Sequence, residues 1–181
     1  MSSRKVSRIK GYINISYLYL KSLPKFLKNI RVEDFGCHNN QLTSLENCPK
    51  HVGRIYCQNN RLTSLKGIMK VKIIFCVRNR LTSLDGCPKI LKDMNCSFNK
   101  LTSLKGGPEI VHGDFRCIEN ELTSLEGGPK EVNGYYNCSN NKLTSLFGGP
   151  TNCGEFDCRV NKLTSLKGGP EMVILIVVEI N

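Results

Sequence analysis

Apolar positions recur along this chain with a period of about twenty residues. The tetrapeptide Leu-Thr-Ser-Leu begins at Leu42, Leu62, Leu81, Leu101, Leu122, Leu143 and Leu163, at spacings of 20, 19, 20, 21, 21 and 20 residues, and a degenerate copy, Leu20-Lys21-Ser22-Leu23, precedes them. Each full copy follows a Cys-x-x-Asn-x run. This gives a cysteine ladder (Cys37, Cys57, Cys76, Cys96, Cys117, Cys138, Cys158) and an asparagine ladder (Asn40, Asn60, Asn79, Asn99, Asn120, Asn141, Asn161). Two residues before each ladder cysteine stands Phe35, Ile55, Ile74, Met94, Phe115, Tyr136 or Phe156. Apolar, outward, Cys is the period-two alternation of a half-buried strand. The unit therefore predicts a strand, an Asn turn, the Leu-Thr-Ser-Leu step and a Gly/Pro turn back.

One such unit has too few apolar side chains to offset the entropy of ordering its backbone, so it must stack on its neighbours. Stacking lays the strands about 4.8 Å apart in a parallel sheet. An asparagine suits the inward turn because its amide donates and accepts hydrogen bonds at once, serving backbone groups that would otherwise be stranded. The pairs Gly106-Gly107, Gly127-Gly128, Gly148-Gly149 and Gly168-Gly169 supply positive φ, and Pro49, Pro88, Pro108, Pro129, Pro150 and Pro170 fix the return. So short and Gly-rich a return leaves no room for helices. The expected fold is mostly β, a solenoid with a parallel sheet on one face, irregular or 3-10 return segments and about nine strands.

The expected organisation is a basic segment over residues 1–10 and a solenoid over 11–181. The latter divides into a cap rung over about 11–31, repeats over about 32–171 and a terminal strand over 172–181. In the cap, Ile13, Ile15, Leu18, Leu20 and Leu23 fall on the ladder positions, with Leu18 where later units have Asn; Ile176-x-Val178-x-x-Asn181 fits a last strand ending on the motif's Asn.

The run Val52-x-x-Ile55-x-Cys57-x-x-Asn60-x-Leu62-x-x-Leu65 resembles the leucine-rich-repeat consensus with Cys in one Leu position. The repeated Leu-Thr-Ser-Leu-x-Gly-Gly-Pro resembles the short-unit leucine-rich-repeat proteins of large tailed bacteriophages and some giant viruses. It is also similar to the repeats of bacterial type III effectors, whose return is Pro-rich where this one is Gly-Gly-Pro. The resemblance covers about residues 11–181. It implies a leucine-rich-repeat solenoid of viral, phage-type origin that works in the host cytoplasm by binding a host protein, for instance inhibiting a component of a defence system.

Charge adds a second picture. The formal net charge is +11, and residues 1–31 carry Arg4, Lys5, Arg8, Lys10, Lys21, Lys25, Lys28 and Arg31 without an acid. That basic region and the stripe after each ladder Asn (Arg61, Arg80, Lys100, interrupted by Glu121, then Lys142 and Lys162) would serve a nucleic-acid partner. Against it stand Asp34, Asp93, Asp114, Glu155 and Asp157 on the strands and the lack of a recurring aromatic platform. The basic opening is not followed by the apolar stretch of a signal peptide. The longest apolar run, Met172 to Val178, is far shorter than the roughly 20 residues of a membrane helix, so no membrane span and a cytoplasmic location are expected.

No catalytic, cofactor or metal site emerges. Seven of the ten cysteines sit on the repeat period, where they act as small buried hydrophobes, too far apart for disulfides. Cys48, Cys87 and Cys153 form no Cys-x-x-Cys knuckle for zinc. His38 adjoins Cys37, but neighbouring strand residues face opposite sides. The repeated Thr and Ser are turn residues rather than nucleophiles, and no Gly-rich loop leads into Lys-Ser/Thr. A non-enzyme without cofactors is the expectation.

Specificity must then lie where the repeat varies. On the outward face of the strands the candidate partner-binding residues are Arg54, Tyr56, Ile73, Phe75, Asn95, Arg116, Tyr135, Asn137 and Asp157, centred on the aromatic pair Tyr56/Phe75 beside arginines. The residues Met172–Asn181, apolar and without a polar cap, are the expected seat of a homodimer. Sequestration of a small signalling nucleotide is a further reading. It requires a pocket, which a short sheet rarely makes.

Overall fold

The structure, a computed structural model, describes residues 7–171, 173 and 175–177. Among these, eleven strands form one parallel sheet: β1 (Ser7–Asn14), β2 (Ile30–Gly36), β3 (His51–Tyr56), β4 (Lys70–Phe75), β5 (Ile90–Leu91), β6 (Asp93–Asn95), β7 (Ile110–Val111), β8 (Phe115–Arg116), β9 (Glu131–Asn137), β10 (Asn152–Asp157) and β11 (Leu175–Val177). Nine of them make a continuous path, β1-β2-β3-β4-β6-β8-β9-β10-β11, one strand per repeat; β5 and β7 are short leading pieces of the β6 and β8 rungs. The expected nine rungs are therefore present, two of them interrupted. The return segments are turns and bends, and the described residues contain one helix, a 3-10 turn at Lys25–Asn29 in the cap.

Register follows the sequence period. Phe35, Ile55, Ile74, Met94, Phe115, Tyr136 and Phe156 pair strand to strand. With the ladder cysteines and the Leu-Thr-Ser-Leu leucines they form one continuous core, nearly every member closed to solvent. At the amino end β1 starts at Ser7, before the position 11 read from sequence, and Ile13 pairs with Phe35. Leu18 thus stands level with Asn40, and 56% of its surface stays exposed. At the other end Leu175–Val177 pairs with Glu155–Asp157. Met1–Val6, Met172, Ile174 and residues 178–181 lie outside the described residues, as do the motif positions read at Val178 and Asn181 and most of the segment read as a dimer edge.

The asparagine ladder stitches each rung to the one before it. Asn60 Nδ2 donates to the Cys57 carbonyl at 3.1 Å and to the Cys37 carbonyl at 2.9 Å, while its Oδ1 accepts the Leu42 N–H at 2.9 Å. Asn79, Asn99, Asn120, Asn141 and Asn161 repeat the same three bonds. The cysteines contribute in the opposite direction. The thiols of Cys57, Cys76, Cys96, Cys117 and Cys138 point at the Phe75, Asn95, Arg116, Asn137 and Asp157 carbonyls of the following strand, at 3.4 to 3.5 Å. A leucine at these positions has no weak donor to offer.

The turn before each ladder Asn is left-handed. Asn39, Asn59, Arg78, Phe98, Glu119, Asn140 and Val160 have φ between +51° and +57°. Asparagine tolerates that conformation, whereas a β-branched valine is strained in it. In the return turn only the first glycine of each pair is left-handed (φ +81° to +82° at Gly106, Gly127, Gly148 and Gly168), so the second is free of that requirement. Cys48 and Cys87 occupy the second position in the earlier units and are buried there.

Candidate protein-contact face

The outward positions line up as two rows across the sheet. One runs Asn14, Gly36, Tyr56, Phe75, Asn95, Arg116, Asn137, Asp157; the other carries Tyr12, Asp34, Arg54, Ile73 and Asp93, with Tyr135 and Glu155 further along. The nine sequence candidates share this face but divide into two groups of different character.

The first group surrounds β3 and β4. The rings of Tyr56 and Phe75 stack at 5.2 Å with an angle of 9° between their planes, and Tyr12 meets Tyr56 edge-on at 6.4 Å. Tyr12 is half exposed. Gly36, between β1 and β3, leaves the space that the Tyr12 side chain fills; a Cβ there would run into its hydroxyl. Arg54 makes a two-pronged ion pair with Asp34, 2.7 Å at both contacts, and Ile73 lies beside it, partly exposed. Such a forked pair fixes the guanidinium next to the aromatic rings.

The second group, around β8 to β10, is bonded to itself. Tyr135 donates its hydroxyl proton to Asp157 at 2.8 Å, Asn137 Nδ2 donates to the Tyr135 oxygen at 2.6 Å, and Arg159 clamps Asp157 through Nε at 3.1 Å and a terminal nitrogen at 2.8 Å. Arg116 pairs with Asp114 at 2.7 Å and lies over the Tyr135 ring at 5.5 Å. Asp157 is 1% exposed and Asn137 6%. Burial alone pushes the Asp157 carboxyl up, but the hydrogen bonds from Arg159 and Tyr135 outweigh it and hold the group below its ordinary range. Burial and the Asp157 bond push the Tyr135 hydroxyl up to about 12.

Asn95, Asn137 and Asp157 also have local work. In each, Oδ1 accepts the N–H two residues ahead (Ser97, Ser139, Arg159), as Asn14 does for Ser16. This is the Asx bond that closes a turn. Their place in the face is structural as well as outward. Tyr12 and Arg159 were not among the candidates from sequence. Tyr12 precedes the first recognisable apolar ladder residue, and Arg159 becomes visible only through the i to i+2 spacing from Asp157.

Burial keeps the thiols protonated at neutral pH. All ten cysteines are buried, and none of them forms a disulfide. Burial raises their pKa values, to about 12 at Cys48 and Cys87 and to about 11 at Cys153 and Cys158, and further at Cys37, Cys76, Cys117 and Cys138. No group of three or more His, Cys, Asp or Glu side chains that could hold a metal ion occurs among the described residues. No helix among them is long and apolar enough to cross a membrane.

No protein-family model and no curated protein sequence matches the chain. Solved structures do. YopM from Yersinia enterocolitica WA-314 superposes with a TM-score of 0.66 at 20% identity, over 90% of this chain and 41% of its own. A Shigella effector LRR domain gives 0.65 at 21% identity, over 92% of this chain and 81% of its own. The fold is a leucine-rich-repeat solenoid. The chain spans less than half the length of YopM, and at these identities the likeness speaks for the architecture of the leucine-rich repeats alone.

Proposed function

We propose that this leucine-rich-repeat protein is a non-enzymatic protein-binding module whose contact site is the open part of the sheet face around Tyr56 and Phe75. The observation that carries this is the stacked aromatic pair itself, partly exposed on a sheet, joined by Tyr12 and flanked by an arginine held in place by Asp34. Preorganised aromatic and arginine side chains dominate protein interfaces because they bury much area while losing little conformational freedom. The self-bonded group around Asp157 is then a rigid border of the contact, with Asn95 and Arg116 between. The phage-type repeat resemblance extends the reading to a host protein in the cytoplasm, such as a defence component that binding would inhibit. A second copy of the chain, meeting it through the last rung, is a further partner on this reading.

Affinity capture from bacterial lysate with the intact chain, in parallel with Tyr56→Ala/Phe75→Ala, tests the contact site. A stoichiometric protein that is retained by the first and lost by the second supports it; a partner held equally by both moves the contact elsewhere. Light scattering across a concentration series reports on the second copy, and a monomeric mass at high micromolar concentration removes it.

A further inference from the structure

At the opposite end of the same strands, a groove of about 810 Å³ crosses the amino-terminal parts of β2, β3, β4 and the β5/β6 rung. Met69 and Ile90 stand exposed at its rim, Ile73 lines its inner side, and Arg31, Lys70, Lys72 and Lys92 surround it. We propose that this groove binds an oligophosphate, a small ligand carrying two or more linked phosphates as in a nucleoside polyphosphate.

The register is the first argument. Arg31 pairs with His51 and His51 with Lys70, so three basic residues stand side by side on adjacent strands, about 4.8 Å apart. Like charges set opposite one another destabilise a sheet. Elsewhere the solenoid avoids this by pairing a lysine with an acid one rung away: Lys66 with Asp85, Lys89 with Glu109, Lys105 with Glu126, Lys142 with Glu121. Among the described residues no carboxylate comes within ion-pair distance of Arg31, Lys70, Lys72 or Lys92. Asp34, the acid in the groove wall, is already taken by Arg54, which leaves Glu33 as the nearby counter-charge.

His51 sits at the centre of this row. Burial, with Arg31, Lys70 and Lys50 adding their repulsion, lowers its pKa, and its Nδ1 is enclosed without a hydrogen-bond partner. Arg31 and Lys70 flank this imidazole with Glu33 as the one unpaired acid among the described residues of the groove wall, and an anion laid over the row relieves the repulsion between the cations. Size selects the ligand. From Arg31 to Lys70 the row crosses two strand intervals, roughly 10 Å, and Lys72 and Lys92 stand level with each other two residues further along, a spread too wide for one phosphate and within reach of two or three linked ones gripped by long side chains. The exposed apolar rim gives the rest of the ligand a surface to lie on. The groove borders the proposed contact face and shares Asp34, Arg54 and Ile73 with it, but its cations Arg31, Lys70, Lys72 and Lys92 lie outside that face, so the two readings are tested by different variants.

Titration calorimetry of the whole chain with tripolyphosphate and, separately, with ATP, at low and at moderate salt, tests the proposal. The variants are Lys70→Glu and Lys72→Glu in the groove, and Lys100→Glu, the same charge change at an exposed position on the opposite edge. The expected result is one-to-one binding that weakens about tenfold or more in the groove variants and less than about twofold in Lys100→Glu. Equal affinity for the two probes assigns the binding to the phosphates; tighter ATP adds the apolar rim. Thermal melts with ligand check that each variant is folded and is stabilised only where binding survives. No binding of either probe at low salt, or equal weakening in Lys70→Glu and Lys100→Glu, overturns the proposal.

Discussion

The side-chain amide of Asn120 donates to the carbonyl oxygen of Cys96, 3.2 Å away in the preceding rung, while its own oxygen accepts the Leu101 N–H at 3.0 Å. One side chain thereby satisfies backbone groups of two repeats. Asn120→Ala strands the Leu101 N–H and the carbonyls of Cys96 and Cys117 together, and is expected to lower stability by about 2 kcal/mol or more. Lys142→Ala removes only an exposed ion pair to Glu121 and is expected to stay within about 0.5 kcal/mol. Urea unfolding of both variants checks the contrast; equal shifts would mean that the asparagine bonds carry no net stability.

Tyr136 is the one hydroxyl among the apolar ladder residues. Its ring is closed to solvent between Phe115 and Phe156, at 5.1 and 5.3 Å, and its oxygen has no hydrogen-bond partner. Gly128 gives that oxygen room, since a Cβ there would lie 3.1 Å from it. Tyr136→Phe removes an unsatisfied polar group at almost constant shape and is expected to raise stability by about 1 kcal/mol. A loss of stability in the melting curve would instead reveal a bonded hydroxyl.

Val160 is left-handed at φ +52° and 55% exposed, so its side chain gains little burial in return for the backbone strain. Asn39, Asn59 and Asn140 hold the same place in other units. Val160→Asn is expected to add about 1 kcal/mol. Chemical denaturation measures it, and an unchanged midpoint contradicts the strain.

The buried thiols make the fold sensitive to alkali. Their folded pKa values are raised, so their stabilising contribution is complete below the ordinary thiol range and is lost as pH rises through and beyond it, where the unfolded chain ionises and the folded one does not. Each such thiol lowers stability by about 1.4 kcal/mol per pH unit above about pH 8.5. With reductant present, the melting temperature is expected to hold from pH 7 to 8 and to collapse between about pH 9 and 10, with all ten thiols reacting only on unfolding. A flat profile to pH 10, or thiols that react in the native state, would refute it.

What repeats was readable from the sequence, because seven copies average out local ambiguity. Phe35 to Phe156, the leucines and the period of nine rungs needed only spacing. What varies was harder. Asn95, Asn137 and Asp157 read as outward contact residues, yet each closes a turn, a role hidden because Tyr56 and Phe75 hold the same row without it. Left-handed Arg78, Phe98, Glu119 and Val160 carry no residue signal and are visible only by alignment with Asn39. The groove was invisible in one dimension. Arg31, His51 and Lys70 are about twenty residues apart, and only the register of the sheet makes them neighbours.

From Asn60 to Asn161, two of the three amide bonds of each ladder asparagine run backwards to the preceding unit and the third closes its own turn, and every internal junction uses the same set. The asparagine coupling is therefore the same at each of these junctions. Joining unit three to unit five leaves the junction chemistry intact while replacing a whole column of the outward face. Leu18, with no amide to offer, ends the series at the amino side, so the asparagine coupling cannot be continued in that direction. Recombination between internal units keeps this coupling, so a lineage of such proteins can change its outward face in steps of one rung rather than one residue.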